Sequence, residues 1–113
     1  MDNALQEQIG LLKWDKDVTL KNVDDFREAV LKLIDGGQTK LILELTEVSY
    51  LNSAALGVIA DAVLSAGRMG KQLIIGGMKA TVAEIFAIVH FSSLMKIFTE
   101  LNDAYAYYEG EME

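Results

Sequence analysis

Leu41-Ile42-Leu43-Glu44-Leu45 is a nearly continuous apolar run. A strand that is apolar on both faces has to be covered on both, as in a sheet flanked by helices, so this run predicts a central strand of an α/β protein. On its C-terminal side a helical pattern extends from about Ala54 to Met69 and stops at Gly70. Leu73-Ile74-Ile75 then predicts a second buried strand, closed by a turn at Gly76-Gly77. On its N-terminal side Val23, Phe26, Val30, Leu33 and Ile34 recur at helical spacing. Asn22 suits the N-cap of that helix, Asp24 and Asp25 complement its positive end, and Gly36-Gly37 stop it.

The outermost segments read less sharply. Leu11, Leu12 and Trp14, with Val18 beyond, predict a strand or part of a hairpin that opens near Ile9 and Gly10. Thr81-Val82-Ala83-Glu84 has the form of a capping box, in which Thr and Glu satisfy each other's free backbone N–H groups, ahead of an apolar face of Val82, Ile85, Phe86 and Val89. Ile97-Phe98 predicts a short last strand, and Leu101, Tyr105 and Tyr108 a terminal helix. This alternation predicts an α/β layer fold with right-handed crossovers.

With 113 residues, the chain has the length of one domain, and its 51% hydrophobic and 24% charged composition is that of a folded globular protein. The N-terminus, MDNALQEQ, has no basic stretch followed by an apolar one, so the cytoplasm is the expected location. The net charge of -7 repels phosphate backbones and anionic lipid, so neither nucleic acid nor membrane is an expected partner. The absence of cysteine rules out disulfides, thiolate metal sites and a Cys nucleophile.

Catalytic constellations are scarce, and the chain does not read as an enzyme. The single histidine, His90, falls near the end of the third helix, where a cation complements the helix C-terminus. One histidine without cysteine predicts no zinc site, and no cofactor is implied. Glu44, Glu47 and Asp61 form no pair at a spacing diagnostic of acid–base work. Trp14 and the four tyrosines lack the basic patch of a base-stacking platform.

The stretch from Val48 to Val58 is the informative one. It sets Asn52 and Ser53 where a helix must begin, and a side-chain oxygen there can accept a bond from an unpaired backbone N–H. Local physics alone thus makes Ser53 chiefly a cap. At about 100° per residue, Leu56, Ile59, Ala60, Val63 and Gly67 share one face of the helix, the predicted core side. Ala54, Val58, Asp61, Ser65 and Arg68 share the opposite face, a predicted docking surface beside Ser53.

At Asn52-Ser53-Ala54-Ala55-Leu56-Gly57 the chain resembles the STAS domain family, especially anti-sigma factor antagonists of the bacterial partner-switching type. In that family an Asp-Ser-Ser/Thr-Gly-Leu-Gly motif opens the second helix, and the serine after the Asp is phosphorylated by a cognate anti-sigma factor kinase. The resemblance extends from Lys16–Asn22 through Leu41–Leu45 to Leu94–Phe98. It implies a single domain over 1–113 with a small mixed sheet, helices mainly on one side, and strand and helix alternating four times.

The resemblance also implies that Ser53 is the phosphoacceptor and that Thr19, Asn52, Ser53, Ala54, Val58 and Asp61 meet the partner. That partner is an anti-sigma factor or histidine-kinase-like serine kinase, with a PP2C-type phosphatase as the opposing enzyme. Asn52, Ala54 and Ala55 stand where the motif has Asp, Ser/Thr and Gly, and Thr19 stands near where many relatives have Asp. A constitutive scaffold with Ser53 unmodified and a small-ligand or nucleotide-binding domain are the alternative readings.

Overall fold

In the computed structural model, which describes residues 6–112, four strands alternate with four helices. They are β1 (Ile9–Lys13), α1 (Val23–Asp35), β2 (Lys40–Leu45), α2 (Ser53–Arg68), β3 (Gln72–Met78), α3 (Ala80–Ile88), β4 (Ile97–Phe98) and α4 (Leu101–Met112). The strands lie in the order β1-β2-β3-β4. All described pairs are parallel, where the resemblance implies a mixed sheet. Each strand is joined to the next through a helix, and parallel neighbours require such crossovers. Leu11 to Val18 makes no hairpin: Val18 forms an isolated parallel bridge with Leu51 instead.

Crossovers of one hand in a sequentially ordered sheet put their helices on the same face. Side chains alternate along a strand, so β2 sends Leu41 and Leu43 to that face and Ile42 to the other. On the first face these leucines pack with Leu73 and Ile75 against Phe26 and Val30 of α1, Ile59 and Ala62 of α2, and Val82 and Phe86 of α3. On the second face Ile42 and Ile74 meet Ala104 and Tyr108 of α4. The expectation of a central β2 covered on both faces, with helices mainly on one side, is met.

Gly76 and Gly77 do not form a turn; both lie inside β3. A Cβ at Gly76 would come within 2.7 Å of the Ala104 Cβ, so the missing side chain lets α4 lie close on the sheet. Gly77 has φ +94°, a conformation open to glycine, and the register between β2 and β3 shifts across this point as in a β-bulge.

Two expected caps are also absent. Lys79, not Thr81, is the N-cap of α3, and Thr81 turns its hydroxyl to the Ser49 carbonyl at 3.2 Å. Asn22 sits at the N-cap of α1 but makes no cap bond; its side chain is turned back into the loop before it. His90, with φ 58°, follows the C-cap Val89, which is exposed rather than part of the apolar face.

Candidate functional site

The loops at the C-terminal ends of the strands form one continuous surface, held by backbone and side-chain hydrogen bonds. Asp17 Oδ1 accepts from the backbone N–H groups of Ser49 at 2.7 Å and Tyr50 at 3.1 Å. Val18 N–H donates to the Tyr50 carbonyl, and Asn52 N–H donates to the Val18 carbonyl. The Asn22 amide donates to the Asp17 carbonyl, and its oxygen accepts from Thr19 N–H, each at 2.8 Å. These bonds fix residues 17–22 beside residues 48–52. Lys79 Nζ donates to Ser49 Oγ at 3.1 Å and ties the start of α3 to the same surface.

At the middle of this surface α2 begins. Asn52 is its N-cap: the side-chain oxygen accepts from Ala55 N–H at 2.8 Å. Ser53, the first residue of the helix, is therefore not the cap that local reasoning makes it. It is exposed, and no described residue hydrogen-bonds its hydroxyl. The first turn of α2 carries no acidic residue, in contrast to Asp24 and Asp25 in the first turn of α1. The positive end of the α2 macrodipole thus has no charged partner of its own.

The sequence-predicted site residues divide into two groups. Thr19, Asn52, Ser53 and Ala54 come together, and Thr19 and Asn52 border a shallow, open depression with Leu20, Lys21 and Tyr50. Leu20 is 88% exposed and Tyr50 50% exposed, so two large apolar side chains stand in solvent beside the serine. Sequence periodicity did not select either of them, because both lie in loops.

Val58 does not join this group. It is buried at 7% exposure, in the seam between α1 and α2, and the inner face of α2 is Ala55, Val58, Ile59, Ala62 and Ala66. The helix is apolar nearly all round, so periodicity alone does not fix which face turns inward. Close packing on both the sheet and α1 favours the stripe of small alanines. Asp61 is exposed but sits two turns along the helix, about 12 Å from Ser53 by helical rise. Of the other acids, Glu44 is 8% exposed on the α4 side and accepts from Thr46 Oγ1 at 3.0 Å. No group of three or more His, Cys, Asp or Glu among the described residues has a metal-binding arrangement. No helix among them is long and apolar enough to cross a membrane.

The division of labour between Asn52 and Ser53 sets a measurable expectation. Asn52→Ala is expected to lower stability by about 1 kcal/mol through loss of the cap, whereas Ser53→Ala is expected to stay within about 0.5 kcal/mol. Urea unfolding followed by the fluorescence of Trp14, the only tryptophan, checks both.

The family model described as STAS domain matches residues 1–104. A Thermotoga neapolitana protein described as a candidate anti-sigma factor antagonist is 23% identical over 105 residues, covering 92% of this chain and 93% of that one. Among solved structures, a candidate anti-sigma factor antagonist from Thermotoga maritima superposes with a TM-score of 0.82 at 20% identity, over 91% of this chain and 89% of that one. A sulfate transporter family protein from Wolinella succinogenes has the same fold, with a TM-score of 0.77 at 15% identity over 90% and 85% of the two chains.

Proposed function

The chain belongs to the STAS domain family, and from that premise we propose that it is a regulatory protein-binding module of the anti-sigma factor antagonist kind. In this reading it acts by binding and not by catalysis. It docks a serine-kinase anti-sigma factor, or a related histidine-kinase-like kinase, through the surface around Ser53. Phosphorylation of Ser53 by that kinase releases it, and a PP2C-type phosphatase restores it. The observation that carries the reading is the free hydroxyl of Ser53, exposed at the first position of α2 while Asn52 does the capping.

The switch follows from electrostatics. A phosphate adds about -1.5 to -2 charges at pH 7. At the start of α2, which has no acidic first-turn residue, the protein's own fold accommodates that charge. The partner does not: a surface shaped to a neutral hydroxyl has to desolvate a dianion or place it near its own acids. Binding is lost without refolding of this chain.

Thr19, Asn52, Ser53 and Ala54 form the polar and small centre of the contact, with Leu20 and Tyr50 as apolar anchors. Val58 supports the helix from beneath, and Asp61 lies at the margin. A protein surface suits this end of the molecule better than a small ligand does. The strand order β1-β2-β3-β4 has no point at which adjacent crossovers diverge to opposite faces, and such points are where ligand crevices form in open α/β sheets.

The footprint is tested by calorimetric titration with the cognate kinase. Leu20→Asp and Tyr50→Ala are expected to weaken binding about tenfold or more each, as anchors of an interface do. Ile88→Asp, at a position 76% exposed at the opposite end of the helices, is the control and is expected to leave binding unchanged. Equal losses in all three, or loss only in the control, would reject the Ser53 end as the docking surface.

A further inference from the structure

The outer face of α2 carries a pattern that the fold does not use and of which the Ser53 contact reaches only Asp61, at its margin. Leu64, 50% exposed, stands at the middle of that face, opposite the buried Ala62 and Ala66. Asp61 lies one turn before it and Arg68 one turn after. Both are exposed, and neither takes part in an ion pair among the described residues; Arg68 only donates to Ser65 Oγ, at 3.2 Å. Asp61 and Ser65 border a groove of about 110 Å³ between α1 and α2, whose apolar lining includes Val30, Val58 and Ala62. An exposed apolar side chain with unpaired opposite charges about 4.5 and 6 Å to either side along the helix is a surface that can complement its own copy.

We propose that two copies of the chain pair through this face, α2 against α2, antiparallel about a two-fold axis passing between Leu64 and Ser65. Asp61 and Arg68 are about 10 Å apart along the helix, so each lies about 5 Å from the axis on opposite sides. Antiparallel pairing therefore sets Asp61 of each copy against Arg68 of the other, twice. The two-fold axis keeps each flank of α2 on the same side of the seam, so Leu64 of each copy meets Leu64 of the other and Ser65 meets Ser65. Parallel pairing would instead set Asp61 on Asp61. The Ser53 end lies about 17 Å along the helix from the axis, so it stays open, and the pairing does not depend on the reading of Ser53.

Sedimentation equilibrium of the full chain tests this. Over a range of about 1 to 500 µM, the mass is expected to rise from the 12.4 kDa of one chain toward twice that value. Asp61→Arg or Arg68→Asp alone is expected to weaken association at least about tenfold, since each sets like charges together. The double variant, with the two charges exchanged, is expected to return to within about threefold of the original, because its pairs are again opposite. Leu64→Glu is expected to abolish association while leaving the circular dichroism unchanged. A chain that stays monomeric over the whole range overturns the proposal. So does association insensitive to the single reversals or to Leu64→Glu, or a double variant that fails to recover.

Discussion

Ser53→Asp is expected to weaken binding of the kinase partner by about 30- to 1,000-fold, equivalent to about 2–4 kcal/mol. Ser53→Ala is expected to keep the affinity within about threefold, because a neutral small side chain leaves the docking surface intact. The free protein should respond in the opposite sense. An acid at the first position of α2, where the helix has no first-turn acid, is expected to add about 0.3–1 kcal/mol of stability. Titration calorimetry reads the first effect and thermal melting the second. Affinity lost together with fold stability would point to a damaged protein, whereas affinity lost with stability kept is the signature of a switch.

Tyr108→Phe is expected to lower stability by about 2 kcal/mol at neutral pH, although it removes a single oxygen. The Tyr108 side chain is fully buried under α4, and its oxygen accepts from Leu41 N–H at 3.3 Å. Its one proton serves the carbonyls of Leu41 and Gln72, each at 2.9 Å, so the phenol ties the terminal helix to β2 and β3 together. Burial pushes the phenol well above its usual 10.0, helped by Tyr107 and Glu111 and opposed by the Leu41 backbone bond. Tyr105 is raised too, by burial first and then by Glu44 and Glu109.

In the unfolded chain these tyrosines ionise near 10, while Tyr108 in the fold stays neutral. The unfolded state therefore loses protons first, and the stability present below pH 10 falls as the pH rises beyond it. Where only the unfolded state is ionised, Tyr108 contributes a slope of about 1.4 kcal/mol per pH unit. Urea unfolding at a series of alkaline pH values is expected to show the gap between the original chain and Tyr108→Phe closing above about pH 10. A gap that stays constant would contradict the buried, neutral phenol.

The α/β alternation was legible because long, strongly periodic segments dictate it. Leu41 to Leu45, the stripe from Val23 to Ile34 and the apolar run at Leu73 to Ile75 each have one way to bury their side chains. What was not legible depends on neighbours distant in sequence. Gly76 and Gly77 look like a turn, but they stay in β3 because α4 and Thr46 approach them there. Thr81 and Glu84 have the spacing of a cap, yet Ser49, 32 residues away from Thr81, takes the Thr81 hydroxyl.

The candidate site divides in the same way. The start of α2 was readable from Asn52 and Ser53, but not which of the two caps it; the 2.8 Å bond to Asn52 decides that, and it changes what the serine is free to do. Val58 belongs to the seam with α1, because α2 is apolar on several faces and its alanines allow the closer packing. Leu20 and Tyr50 carry no periodic signal, since their place beside Ser53 is set by Asp17 bonding across to the loop before α2.

In the proposed function Ser53 is a phosphoacceptor at a docking surface. Incubation of the chain with its cognate serine kinase and ATP, followed by mass spectrometry of the intact protein and its peptides, tests it most directly. The expected result is one phosphate per chain, on Ser53, and none on the Ser53→Ala variant. Phosphate on another residue, or its persistence in Ser53→Ala, would show that Ser53 is not the acceptor.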